Sequence, residues 1–191
     1  MHSPAARDTL ARAVAELNDL VVFGGLDDEQ STTLERSVRA LLETHGGTAT
    51  TGPASLRWRE YRRRSPFSGS ENPRAPGLSM ALPGREDRSR AIGTVTLSSS
   101  YAGAPSIAHG GVIAGLFDEA IGWLSSAHDP EGGFVTGRLT VRYRRPAPLD
   151  TELAFSCEVE RRRGRRLHVT AACRQGGLTL ATAEALMVAA R

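Results

Sequence analysis

The chain has 191 residues, 24 basic against 21 acidic side chains, a formal net charge of +3, 40% hydrophobic residues and 5% aromatic ones. One domain of ordinary size with an appendage fits that length, and the apolar fraction excludes disorder throughout. Every basic residue is Arg and none is Lys, which excludes Schiff-base chemistry and a P-loop lysine. So small a net charge is not the footprint of a nucleic-acid binder.

Cys157 and Cys173 are too few for a disulfide framework, lack CxxC spacing and fall in strand-like runs, so they read as small buried thiols. Met1 to Leu10 carries Pro4, Arg7 and Asp8 where a signal segment would be apolar. No apolar run approaches the roughly 18 residues of a membrane span. The expectation is a soluble protein of a reducing, cytoplasmic setting, without membrane span or nucleic-acid partner.

Ser3-Pro4 is a helix-start signal, and Leu10, Val14 and Leu17 follow at helical spacing, which predicts a first helix from Pro4 to about Asn18. A second start at Asp27 leads through Leu34, Val38, Leu41 and Leu42 to a stop at Gly46-Gly47. Residues 1–50 read as an N-terminal helical extension. Residues 51–76 read as a connecting arm punctuated by Pro53, Pro66, Pro73 and Pro76, with a short helical piece inside it. Its basic run, Arg57, Arg59, Arg62, Arg63 and Arg64, reads as a solvated face.

From Gly77 the pattern is that of strands, Leu78 to Leu82 and Ile92 to Ser99. A loop from Tyr101 to Ala108 then delivers His109-Gly110-Gly111, where a helix starts and runs to about Ala127. Four strand-like runs follow, Phe134 to Arg145, Glu152 to Arg162, Arg165 to Arg174 and Leu178 to Ala189, with turns at Gly164 and Gly176-Gly177. Residues 77–191 therefore read as an α+β domain, an antiparallel sheet around one long central helix.

That helix carries the signal. Val112, Ile113, Leu116, Phe117, Ala120, Ile121 and Leu124 form its sheet-facing stripe. The opposite half gathers Gly111, Ala114, Gly115, Asp118 and Gly122, where long charged residues would be ordinary. Glycine costs about 1 kcal/mol in a helix interior, so something comes close to this backbone. On the helix alone, a solvated Asp118-Glu119 pair and a carboxylate approached by a ligand or partner chain are both open. The glycines at the helix start offer unobstructed N–H groups and the positive dipole end to an incoming oxygen.

His109-Gly110-Gly111, a carboxylate nine residues after the His, and the run T-x-x-L-x-V-x-Y-x-R-P from Thr136 to Pro146 together resemble the hot-dog-fold acyl-CoA thioesterases of the PaaI and thioesterase-superfamily-member type. The resemblance spans about Gly77 to Ala190, and Phe67 to Leu78 is similar to the lead-in of some relatives. It implies hydrolysis of fatty or aromatic acyl-CoA thioesters to the free acid and CoA, without metal and without a cofactor beyond the CoA of the substrate. Asp118 matches the catalytic carboxylate, Gly110 the backbone donor to the thioester carbonyl, Thr136 the hydroxyl that orients water or substrate, and His109 a motif histidine of structural role. Gly111 completes the donor loop. Many relatives carry an amide side chain before the HGG, where this chain has Gly103, Ala104, Pro105 and Ser106, so either Ser106 substitutes or the polarising contact is weaker.

Gly110 and Asp118 are eight residues apart, about 12 Å along one straight helix. A reacting carbon lies about 3 Å from both donor and attacking group. The two therefore come from different protomers, in a homodimer or dimer of dimers with shared active sites. Asp118 acts as general base or direct nucleophile; the sequence does not choose. Arg142, Arg144 and Arg145, with Arg161, Arg162, Arg163, Arg165 and Arg166 at a hairpin tip, are candidates for the CoA phosphates. No GxSxG, GxGxxG, GxxxxGK[ST] or HExxH motif occurs, and His109, His128 and His168 lack metal-ligand spacing. A non-catalytic acyl-CoA-binding or sensing protein is the alternative, and a hot-dog hydratase ranks lower.

Overall fold

The computed structural model describes residues 4–46, 62–84, 87–129 and 133–190. Arg57, Arg59 and the helical piece expected within the arm lie outside them. Two helices, α1 (Pro4–Phe23) and α2 (Asp28–His45), open the chain. The strands β1 (Ser79–Ala81) and β2 (Arg90–Thr96) follow. A small hairpin, β3 (Ala102–Ala104) and β4 (Ile107–Ala108), then leads into α3 (Gly110–Ser126). After it come β5 (Phe134–Tyr143), β6 (Glu152–Arg163), β7 (Arg166–Gln175) and β8 (Leu178–Ala189).

Among the described residues the main sheet is antiparallel in the order β1-β2-β6-β7-β8-β5, and α3 lies across it. This is the hot-dog arrangement. Period-two alternation builds it. β6 turns Leu153, Phe155 and Cys157 inward, and β7 turns Leu167, Val169, Ala171 and Cys173 inward. Phe155 pairs with Cys173, and Cys157 with Ala171. β8 contributes Met187 and the small side chains of Ala181, Ala183 and Ala185. From α3, Ile113, Leu116, Phe117, Ala120, Ile121 and Leu124 meet this surface, as the helical spacing predicts. Phe117 and Phe155 meet edge to face at 5.2 Å.

β5 departs from simple alternation. Its pairing with β8 shifts between Thr136 and Arg138, a bulge at Gly137. Before the bulge Phe134 and Thr136 share a face; after it Leu139, Val141 and Tyr143 take over that parity. The three-residue step from Thr136 to Leu139 in the sequence motif is the trace of this bulge.

The predicted second helix agrees closely with α2, which Asp27 caps through a capping box with Gln30. The first runs to Phe23 instead of Asn18, because the apolar run Leu20 to Phe23 continues the helix until Gly24-Gly25. α1 docks through its polar stripe. Asp8 accepts from Ser70 and pairs with Arg63 at 3.5 Å. Asn18 donates to Ser100, and Asp19 accepts from Ser98 and Ser100. Leu10, Val14 and Val21 consequently face outward.

The basic run of the arm is not a uniform solvated face. Arg63 pairs with Glu71 at 2.8 Å, and Arg62 is half-buried with its guanidinium 5.2 Å from the centre of the Trp123 ring. Phe67 fills the notch left by Gly115, where an added β-carbon would stand 2.0 Å from its Cζ. Alanine in a helix ordinarily gains about 1 kcal/mol over glycine. Here Gly115→Ala must displace the Phe67 ring, so we expect a net loss of about 1–3 kcal/mol in urea unfolding and faster tryptic cleavage at Arg63 and Arg64.

Burial pushes the Cys157 and Cys173 thiols up to about 12 from an ordinary 9.0. Between those values the folded chain keeps protons that the unfolded chain releases, so unfolding becomes easier as pH rises through that window. This contribution is intact below pH 9. The urea midpoint should therefore fall more steeply between pH 8.5 and 11 in the native chain than in a Cys157→Ala, Cys173→Ala variant.

Candidate active site

The start of α3 is built by its own N-cap. His109 stands in extended backbone and its Nδ1 accepts the Gly111 N–H at 3.0 Å, while its carbonyl accepts from Val112 and Ile113. The Gly110 N–H, first in the helix, has no intrahelical acceptor. Its carbonyl accepts the Tyr143 hydroxyl at 2.7 Å, which fixes the peptide from the β5 side. His109 thus shapes the helix start with its side chain.

Two turns on, Asp118 is exposed and its Oδ1 accepts the Thr136 hydroxyl at 2.6 Å. The β5 bulge leaves Thr136 on the helix-facing parity, with its Oγ1 also 3.6 Å from the Met187 sulfur. Glu119 turns to the arm and accepts from Ser68. Asp118 and Thr136 line a pocket of about 360 Å³ whose apolar walls include Phe67, Trp123, Phe134 and Met187. Arg62 closes it at the Trp123 side, donating to Ser126 at 2.8 Å and to the Trp123 carbonyl at 3.4 Å. Burial lowers the Arg62 pKa from its ordinary value, with Glu119 pulling it back up.

Gly110 lies in a separate hollow, also about 360 Å³, with Ile113, Tyr143, Arg144, Arg145 and Leu180. The structure therefore joins Asp118 to Thr136, and Gly110 to Arg144 and Arg145, but puts the two sets in different hollows of one chain. Ser106 belongs to neither. It occupies the β3–β4 turn at φ 61, where its carbonyl accepts from Leu149. Arg142 is exposed on β5 opposite Thr182, outside both hollows.

Sequence reasoning missed Phe67 and Arg62 as walls of the Asp118 pocket. The available signal was Gly115, whose missing side chain had to be filled by something bulky. The glycine stripe is accordingly met in part by the chain's own arm: Gly115 is occupied, whereas Gly122 has open space where a β-carbon would stand. A wider hollow of about 760 Å³ on the outer sheet face holds Arg90, Arg174, Glu158 and Glu184 and shares no residue with the Asp118 pocket. Among the described residues no group of three His, Cys, Asp or Glu could hold a metal ion, and no helix is long and apolar enough to cross a membrane.

A family model of the thioesterase superfamily matches residues 106–182, which contain the α3 start, Asp118 and Thr136. A crystal structure of a thioesterase superfamily protein aligns with TM-score 0.77 at 27% identity, over 97% of this chain and 92% of that one. A phenylacetic acid degradation-related protein from Ralstonia eutropha JMP134 aligns with TM-score 0.55 at 20% identity, over 59% and 85%. A protein of Streptococcus mutans UA159 solved with acetyl-CoA bound aligns with TM-score 0.52 at 18% identity, over 59% and 87%. Comparison with curated proteins by sequence gives no match. The sheet-wrapped helix gives the chain the hot-dog fold of these structures, and its residues 106–182, the HGG start included, are similar to the thioesterase superfamily.

Proposed function

We propose that the protein hydrolyses acyl-CoA thioesters to the free carboxylic acid and CoA. The observation that carries this reading is the Asp118 carboxylate, held through one oxygen by the Thr136 hydroxyl at the mouth of an apolar-walled pocket. The second carboxylate oxygen is then available to water or to the thioester carbon. In the base route Asp118 takes a proton from water, the new C–O bond forms, and collapse of the tetrahedral species breaks the C–S bond and releases the CoA thiolate. In the nucleophile route Asp118 forms the C–O bond itself as the C–S bond breaks and CoA leaves as the thiolate, and water then hydrolyses the mixed anhydride to the free acid and the Asp118 carboxylate. The fold relative with bound acetyl-CoA supports a CoA thioester as ligand.

The oxyanion donor is the Gly110 N–H of a second copy, because eight residues of α3 put the chain's own Gly110 about 12 Å away. Two features support a homodimer. β5 is a sheet edge with ten residues and no outer partner strand among the described residues, and such an edge invites pairing. Gly122, beside Asp118, leaves open space on the same helix face. Arg144 and Arg145, sharing the Gly110 hollow, would hold CoA phosphates near the donor, with Arg142 and the β6–β7 tip as an outer rim. On this reading residues 77–191 are the catalytic unit, reached through the arm 51–76 from the extension 1–50, and the setting is cytoplasmic.

Asp118→Asn should lower thiol release from acyl-CoA at least about 100-fold while substrate analogues still bind; an unchanged rate removes Asp118 from the mechanism. Gly110→Pro deletes the donor N–H at a helix position that tolerates proline, and should cost about 100-fold or more. Mixing the two inactive variants should restore up to about half of the native activity in verified heterodimers, since one of the two shared sites is intact. No recovery would count against shared sites.

A further inference from the structure

The Asp118 pocket has a neighbour. A second hollow of about 260 Å³ lies on the other side of the arm, lined by Ser68, Ser70, Leu78 and Met80, and the two hollows share only Arg62 and Trp123. Those two side chains are stacked on each other, guanidinium over indole. Resting on the reading of the Asp118 pocket as the acyl site, we propose that the Arg62–Trp123 stack is the floor of that site, sets the longest acyl chain it accepts, and restricts the enzyme to compact acyl groups.

Several observations make this floor firm. Arg62 is held from below by Ser126 and the Trp123 carbonyl, both at the C-terminal end of α3. The arm that carries it is clamped to the helix by the Ser68–Glu119 hydrogen bond and by Phe67 in the Gly115 notch. Asp118 and Trp123 are five residues apart, about 7.5 Å along the axis, so the room between carboxylate and floor is short. A longer apolar tail would have to end against a half-buried cation or displace it, and an ionised group among apolar atoms repels hydrocarbon that cannot solvate it. Beyond the floor, Leu78 and Met80 offer further apolar wall.

The experiment measures kcat/KM on butyryl-, hexanoyl-, decanoyl- and palmitoyl-CoA. The native enzyme should decline beyond the medium chains. Arg62→Ala joins the hollows, and with about fourfold gained per methylene newly buried, the decanoyl-to-hexanoyl ratio should rise at least about tenfold. Arg62→Met keeps much of the side-chain volume but loses the cation and its anchors, so the ratio should rise, though less than in Arg62→Ala; a Met variant that exceeds the Ala variant overturns the floor. Adding Met80→Trp to Arg62→Ala refills the second hollow and should bring the native cut-off back. An active Arg62→Ala enzyme with the native chain-length ratio overturns the floor while leaving thioester hydrolysis intact. So does a raised ratio that Met80→Trp fails to lower, since the extra length would then lie elsewhere. Absence of turnover on every acyl-CoA in the native enzyme overturns the underlying function and the floor with it.

Discussion

The commitment of one face of α3 to the sheet is the constraint from which the rest follows. Ile113, Leu116, Phe117, Ala120, Ile121 and Leu124 are buried against β6, β7 and β8, and no rotation of the helix exposes them without opening the core. With that face fixed, Asp118 must lie on the other. The rise of the helix then sets the interval between its first amide and its carboxylate, and no side-chain rearrangement shortens it. A single chain therefore keeps its helix start and its carboxylate in different hollows.

β5 is the element that dresses this face. Thr136 reaches Asp118 and Tyr143 reaches the Gly110 carbonyl, so one strand pins α3 at its start and two turns on. The elements were legible in the sequence, because periodicity places α3 and the strands and the glycines at 110 and 111 mark an unobstructed helix start; the Tyr143 contact with the Gly110 carbonyl was not. Even the irregular spacing of Thr136 and Leu139 was written there, although a bulge is needed to explain it.

What sequence reasoning could not reach has a common cause. Arg62 stands in a run of arginines, and local composition describes such a run as solvated. Its burial depends on Trp123, more than sixty residues downstream, and on Ser126 beside it. Phe67 is an ordinary aromatic until Gly115 is placed opposite it. In α1 the periodic apolar positions were correctly placed on one stripe, but the helix docks by the opposite one, because the serines of the segment before the hairpin reward Asn18 and Asp19 more than leucines. Periodicity identifies a face and cannot say which neighbour claims it.

The seating of α1 has a further consequence. Asn18 and Asp19 grip Ser98 and Ser100, the next residue is Tyr101, and the Tyr101 carbonyl holds the His109 N–H at 2.8 Å. His109 in turn arranges the first turn of α3. The N-terminal extension is thus a brace that reaches the cap of α3 at second hand, through Ser98, Ser100 and the Tyr101 carbonyl, so the seat of the helix start depends on a segment far from it in sequence.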